Sequence, residues 1–148
     1  MSALRVSARF RAAPIACVLL AFVVGCGADD NLVPVEGRVL VQGQPLRGLS
    51  GSVTFVPDAS KGNASSTGAV GEIDPEGRYR LSTRGKPGAA PGWYKVVVTA
   101  VPAGTGDREV VRRPALHSRY AAEKTTPLSV QVVADPSASA YDLKVTRN

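Results

Sequence analysis

Few residues in this 148-residue chain could do chemistry: there is one histidine and there are two cysteines. His117 stands next to Ser118, a base beside a hydroxyl. A nucleophile needs its base within hydrogen-bond reach, yet neighbours on a helix point apart, so His117 is read as a partly exposed structural residue and no catalytic residue is assigned. Zinc wants three or four imidazole or thiolate ligands, which one histidine cannot supply. Asp74-Pro75-Glu76-Gly77 lacks the alternating acids and distant Glu of a calcium loop. Gly85-Lys86 is followed by Pro87 instead of Ser or Thr, which excludes a phosphate loop. No metal and no cofactor are expected.

The remaining reactive group is the Cys26 thiol. Arg5, Arg9 and Arg11 precede an apolar run over 12–24, which ends in small Gly25 and then Cys26. That order is the charged, apolar and small-residue pattern of an export signal. The run is too short to span a bilayer, which takes about 20 residues, and Pro14 weakens it as a helix. Val23-Val24-Gly25-Cys26 resembles the lipobox of bacterial lipoproteins, with an aliphatic residue three before the cysteine and a small one just before it. The resemblance implies diacylglyceryl on the Cys26 sulfur, cleavage before Cys26 and acylation of the new amine. Each buried CH₂ contributes about 0.8 kcal/mol, and two or more chains hold where one barely does. Residues 1–25 are then a signal peptide, 26–32 a lipidated tether and 33–148 a single domain. The expected location is a membrane, with the outer membrane, facing periplasm or cell surface, as the default.

With Cys17 in the signal and Cys26 lipidated, no thiol remains for a disulfide, so the core must hold the fold unaided. Three of the 18 basic residues and none of the 12 acidic ones lie in residues 1–25, so the balance falls from +6 to +3. No basic run exceeds Arg112-Arg113, and aromatics are few. A nucleic-acid surface needs a clustered basic face with stacking partners; that class is excluded.

Period-two alternation predicts strands at 35–41, 52–56, 69–73, 78–82, 93–100, 128–133 and 140–146. In the first, Val35, Gly37, Val39 and Val41 share one face; in the second, Val53 and Phe55 do; in the fourth, Tyr79 and Leu81 do. The longest is apolar on both faces at Val96-Val97-Val98, which suggests a central place. Asp74-Pro75-Glu76-Gly77 suits a type I turn and is the strongest hairpin signal. Residues 58–68 read as a surface loop, 85–92 as a loop too proline-rich for any regular element, and 101–114 as an exposed mobile crossing. Asn63-Ala64-Ser65 matches a glycosylation acceptor, read as chance in a bacterial envelope protein. Leu116 with Tyr120, and Arg119 with Glu123, are four apart and predict a short helix near 115–122. Seven short strands with almost no helical periodicity predict an all-β sandwich.

Trp93 either caps the core or stands outward with Tyr94 near the 85–92 loop as a platform for sugar or peptide. Arg78, Arg80, Arg84 and Lys95 could gather on one outer face, a solvated surface or a weak attraction to anionic headgroups or polysaccharide.

Taken in order, several stretches resemble transthyretin-like or carboxypeptidase regulatory-like domains, and small bacterial lipoproteins built from one such domain. They are Val35-Glu36-Gly37-Arg38-Val39 with Gly43-Gln44-Pro45-Leu46, Val53-Thr54-Phe55-Val56-Pro57, residues 74–81, residues 88–96, and Tyr120 with Thr126-Pro127-Leu128. The resemblance implies one Greek-key β-sandwich of seven or eight strands, often with a short helix, and no single activity. Transthyretin-related enzymes that hydrolyse 5-hydroxyisourate use several histidines, an arginine and a C-terminal Tyr-Arg-Gly-Ser. This chain ends Lys144-Val145-Thr146-Arg147-Asn148, so none of those residues is carried over. The expectation is a lipid-anchored envelope protein whose sandwich is a non-catalytic binding or structural module. Its partners would be the membrane, through acyl chains on Cys26, and an envelope protein or polysaccharide. The alternatives are a small transthyretin-related hydrolase, which would show polar groups converging around His117, and a purely structural spacer, which would show neither pocket nor apolar patch.

Overall fold

Alternating side chains become an all-β chain in the computed structural model, which describes residues 31–103 and 114–147. Its strands are β1 (Glu36–Val41), β2 (Gln44–Pro45), β3 (Leu49–Pro57), β4 (Ala69–Ile73), β5 (Arg78–Arg80), β6 (Ser82–Thr83), β7 (Lys86–Pro87), β8 (Gly92–Pro102), β9 (Ser129–Val132) and β10 (Leu143–Val145). The seven predicted strands correspond to β1, β3, β4, β5, β8, β9 and β10. The other three are two-residue ladders that the alternation did not predict. The signal, the lipobox residues Val23, Val24 and Gly25, Cys26 itself and most of the predicted crossing lie outside the described residues.

The principal strand order is β10-β1-β5-β4-β3-β8-β9. Neighbours are antiparallel except β10, which runs parallel to β1 with Val39 opposite Leu143. β3 and β8 form the longest ladder, from Leu49 opposite Pro102 to Pro57 opposite Tyr94. β8 is thus interior, flanked by β3 and β9. It buries Tyr94, Val96, Val98 and Ala100, while Lys95 and Thr99 turn outward. The sheet curls: β9 and β10 end the strand order, yet the Tyr141 hydroxyl, just before β10, bonds the backbone of Val133, just after β9.

Inside the curl, Val39, Val53, Phe55, Tyr79, Leu81, Tyr94 and Val96 are buried in one core. The Phe55 ring lies 6.4 Å from that of Tyr79 and 5.6 Å from that of Tyr94. Each such side chain contributes about 1.5–3 kcal/mol by leaving water. Tyr79 spends its hydroxyl on the Tyr141 carbonyl at 2.6 Å. Gly37 makes this possible, because a Cβ there would stand 2.3 Å from that carbonyl oxygen.

The 74–77 hairpin forms as expected. Asp74 Oδ1 accepts from the Glu76 and Arg78 N–H groups at 3.0 and 2.8 Å, and Gly77 takes φ of 80°. Three expectations change. The 85–92 loop is not wholly irregular, because Lys86–Pro87 pairs with Ser82–Thr83 across a turn with positive φ at Arg84 and Gly85. Pro87 sits at an edge, where its missing donor costs no ladder bond. The helix near 115–122 shrinks to a 3-10 turn, Ser118–Ala121. Its first residues are drawn into the sheet, with Leu116 bridging Arg147 and the His117 N–H donating to the Thr146 carbonyl. The last strand is shorter than 140–146, because turn bonds from the Ala140 and Asp142 N–H groups occupy its beginning.

Candidate functional site at Trp93

The site begins with the alternation of β8. Successive strand residues leave by opposite faces, so Trp93 and Tyr94 cannot share a platform, and the structure separates them. Tyr94 is buried, and its hydroxyl donates to the Ala90 carbonyl at 2.8 Å. Burial pushes the Tyr94 phenol up, with the Asn63 amide working against it. Trp93 instead is partly exposed and forms one wall of an open cleft of about 370 Å³ between residues 61–65 and 90–93.

Two loops make the cleft, and one carbonyl joins them. The Trp93 carbonyl accepts from the Asp58 N–H at 2.9 Å and from Asn63 Nδ2 at 2.8 Å. Asp58 caps a short 3-10 turn, Ala59–Lys61, its Oδ1 accepting from the Ser60 N–H and hydroxyl. The Ser60 hydroxyl bond holds the Asp58 carboxyl below the usual carboxylate range, with Lys95 and Lys61 adding to it and burial opposing. The carbonyl of Asp58 then accepts from the Lys61 and Asn63 N–H groups. Asn63 is buried, and its Oδ1 takes the Ser65 N–H at 3.0 Å. Gly92, at φ of 148°, lies against that amide; a Cβ there would meet Nδ2 at 2.8 Å. The loop read as a plain surface segment is therefore a knotted support with two buried polar side chains. The glycosylation-like triplet is part of it, its Asn63 amide already committed to hydrogen bonds.

Lys61 gives the cleft its charge. Its Nζ lies 4.3 Å from the centre of the Trp93 ring and donates to Ser129 Oγ at 2.7 Å. An ammonium over an indole face gains about 0.5–1 kcal/mol at an exposed site. Lys61 and Asn63 were not singled out from the sequence as ligand-site residues. The Asp58-Ala59-Ser60 cap was the one available signal, and it marks a turn without saying what the turn approaches.

The other candidates are accounted for by local structure. His117 caps the Ser118–Ala121 turn, with Nδ1 accepting from the Arg119 N–H at 3.2 Å, while Ser118 faces water. Three of the four basic residues proposed as a charged face meet carboxylates: Arg78 meets Asp74 and Glu76, Arg80 meets Glu36, and Lys95 meets Glu123. The fourth, Arg84, bonds Thr67 Oγ1. Among the described residues, no three His, Cys, Asp or Glu side chains group as metal ligands, and no helix is long and apolar enough to cross a membrane.

Fold and site together define an all-β chain with a small tryptophan-walled cleft between two loops. Comparison with protein-family models, with curated proteins and with solved structures finds no match for the chain.

Proposed function

We propose that this is a lipid-anchored protein of the bacterial cell envelope whose β-domain is a non-catalytic binding module working through the Trp93 cleft. In this reading the curled sheet is a transthyretin-like Greek-key sandwich, and the acyl chains on Cys26 raise its effective concentration towards neighbours on the same membrane. The carrying observation is the cleft itself: an indole wall, one ammonium and a scaffold whose buried amide and carboxylate are consumed in holding shape. Such a mixed apolar and polar hollow, near the small end of ligand sites, suits recognition of a small group. His117, which the hydrolase alternative would use as base, has one ring nitrogen engaged in its cap.

Intact mass spectrometry of the native protein after detergent extraction tests the anchor. Cleavage before Cys26 with added acyl mass is expected; a chain retaining residues 1–25, or bare at Cys26, overturns it. Titration of Trp93 emission with envelope polysaccharide fragments tests whether a sugar is the module's ligand, and an unchanged spectrum with every fragment removes polysaccharide from the cleft. Turnover of a small amide that is lost in His117→Ala would return the protein to the hydrolase class.

A further inference from the structure

We infer that the end of the domain bearing the Trp93 cleft faces the membrane, and that the cleft seats an anionic lipid headgroup against Lys61 and Trp93. This rests on the lipid anchor proposed above. The first link is where the tether leaves the fold. Val33 and Ala89 exchange backbone bonds, the Val33 N–H donating at 2.9 Å and the Ala89 N–H at 3.0 Å. Gly88 lets the strands approach, since a Cβ there would stand 2.4 Å from the Val33 carbonyl oxygen. Ala90, the next residue along, already lines the cleft. One ladder step and one residue put Val33 within about 10 Å of the cleft rim.

The second link is reach. Residues 26–32 separate the acylated sulfur from that bridge, and seven residues span at most about 25 Å even when fully extended. The end carrying Val33, the cleft and the β6–β7 hairpin is therefore kept within about 25 Å of the bilayer, while the 74–77 turn and β2 lie at the opposite end of β1.

The third link is chemistry. The cleft offers a cation, an indole and the apolar walls of Ala64, Ala90 and Pro91. Long cationic side chains and indoles with an apolar body and a polar tip settle where lipid headgroups meet hydrocarbon. The Asp58 carboxylate is turned onto Ser60 and feels the Lys61 charge only weakly, so it offsets the ammonium at the cleft mouth only in part. Arg84 and Lys86 add positive charge on the hairpin that runs into Gly88 and Ala89. A phosphate brought there would be drawn to the Lys61 ammonium, which already rests on the ring it would share.

Trp93 is the only tryptophan in the chain and reports directly. The acylated protein, purified in detergent, is reconstituted into phosphatidylcholine vesicles with and without phosphatidylglycerol, each carrying a bromine-labelled lipid as quencher. Contact predicts a blue shift and loss of emission that deepen with phosphatidylglycerol and are reversed towards the phosphatidylcholine level in Lys61→Ala. Equal quenching with and without the anionic lipid overturns headgroup recognition. Emission indifferent to bromolipid, and quenched by aqueous iodide as freely as in detergent, overturns the orientation. Intact mass of the same sample separates the two ideas: acyl mass without contact sinks this inference alone, whereas its absence at Cys26 sinks the anchor as well.

Discussion

The Tyr141 hydroxyl accepts from the Val133 N–H at 3.2 Å and donates to the Val133 carbonyl at 3.3 Å. One phenol thereby satisfies both peptide groups of a residue just past the end of β9. Trp93 turns its carbonyl towards Asp58 and Asn63, so the peptide groups facing β9 are those of Gly92 and Tyr94. By the same parity Ser129 and Gln131 face away from β8, and Tyr141 closes the row beyond them. An uncapped edge is a template for pairing with another chain. Tyr141→Phe should lower stability by about 0.5–1.5 kcal/mol, the typical net worth of a hydrogen bond, because the Val133 groups are only partly buried. Thermal unfolding measures that loss, and sedimentation should show association that grows with concentration.

Tyr79 governs the alkaline limit. Burial, with smaller contributions from Asp142 and Tyr141, pushes its phenol far above the ordinary range, while the hydroxyl holds the Tyr141 carbonyl. In the unfolded chain the group ionises near pH ~10. Stability is thus intact below that value and falls as pH rises beyond it, because only the unfolded state releases the proton. Tyr79→Phe should flatten this decline in urea midpoints measured across alkaline pH, while lowering the neutral-pH midpoint.

Gly37→Ala tests the same place from the other side. The new methyl meets the Tyr141 carbonyl and, at 2.9 Å, the Tyr79 hydroxyl. Forcing them apart should destabilise by about 1–3 kcal/mol. Combining it with Tyr79→Phe should give less than the sum of the two losses, since both act on one contact.

For the cleft, Asn63→Ala removes the donor to Trp93 and the acceptor for Ser65. A loss of about 1–3 kcal/mol is expected, with a red-shifted Trp93 emission as the loop loosens. Gly92→Ala should produce the same spectral change by pushing on the amide instead of deleting it.

Acid stability should depend on Asp58 and Asp74. Hydrogen bonds from Ser60, and from the Arg78 N–H, hold the respective carboxyls below their ordinary values. Such groups stabilise above the unfolded pKa of ~3.9, and the contribution disappears as pH falls through the folded value. Asp74→Asn should shallow the acid limb of the urea midpoint profile, and Asp58→Asn should do so independently, since the two lie in separate turns.

Much of the architecture was legible where burial imposes a short period. Val39 and Val41, Val53 and Phe55, and Tyr79 and Leu81 lie on the buried face as their alternation requires. The 74–77 turn was legible because Asp and Gly act there through their own backbone neighbours. The same alternation already set Trp93 and Tyr94 on opposite faces, so a joint platform conflicted with the strand predicted to hold them. Lys61 over Trp93 was not legible, because two loops 30 residues apart meet through a side chain and a carbonyl that leave no periodic trace. The β6–β7 ladder hid behind Pro87, which is excluded only from positions that must donate. The parallel β1–β10 pair joins residues too distant for local chemistry to announce.

That last pairing bears on synthesis. Val39 waits for Leu143, 104 positions later, so a folding chain leaves one flank of this strand open until residues 143–145 have arrived to pair with it. Late completion of this kind slows the closing step. A stop placed before Leu143 would leave the product vulnerable to proteases despite sparing every residue of the cleft.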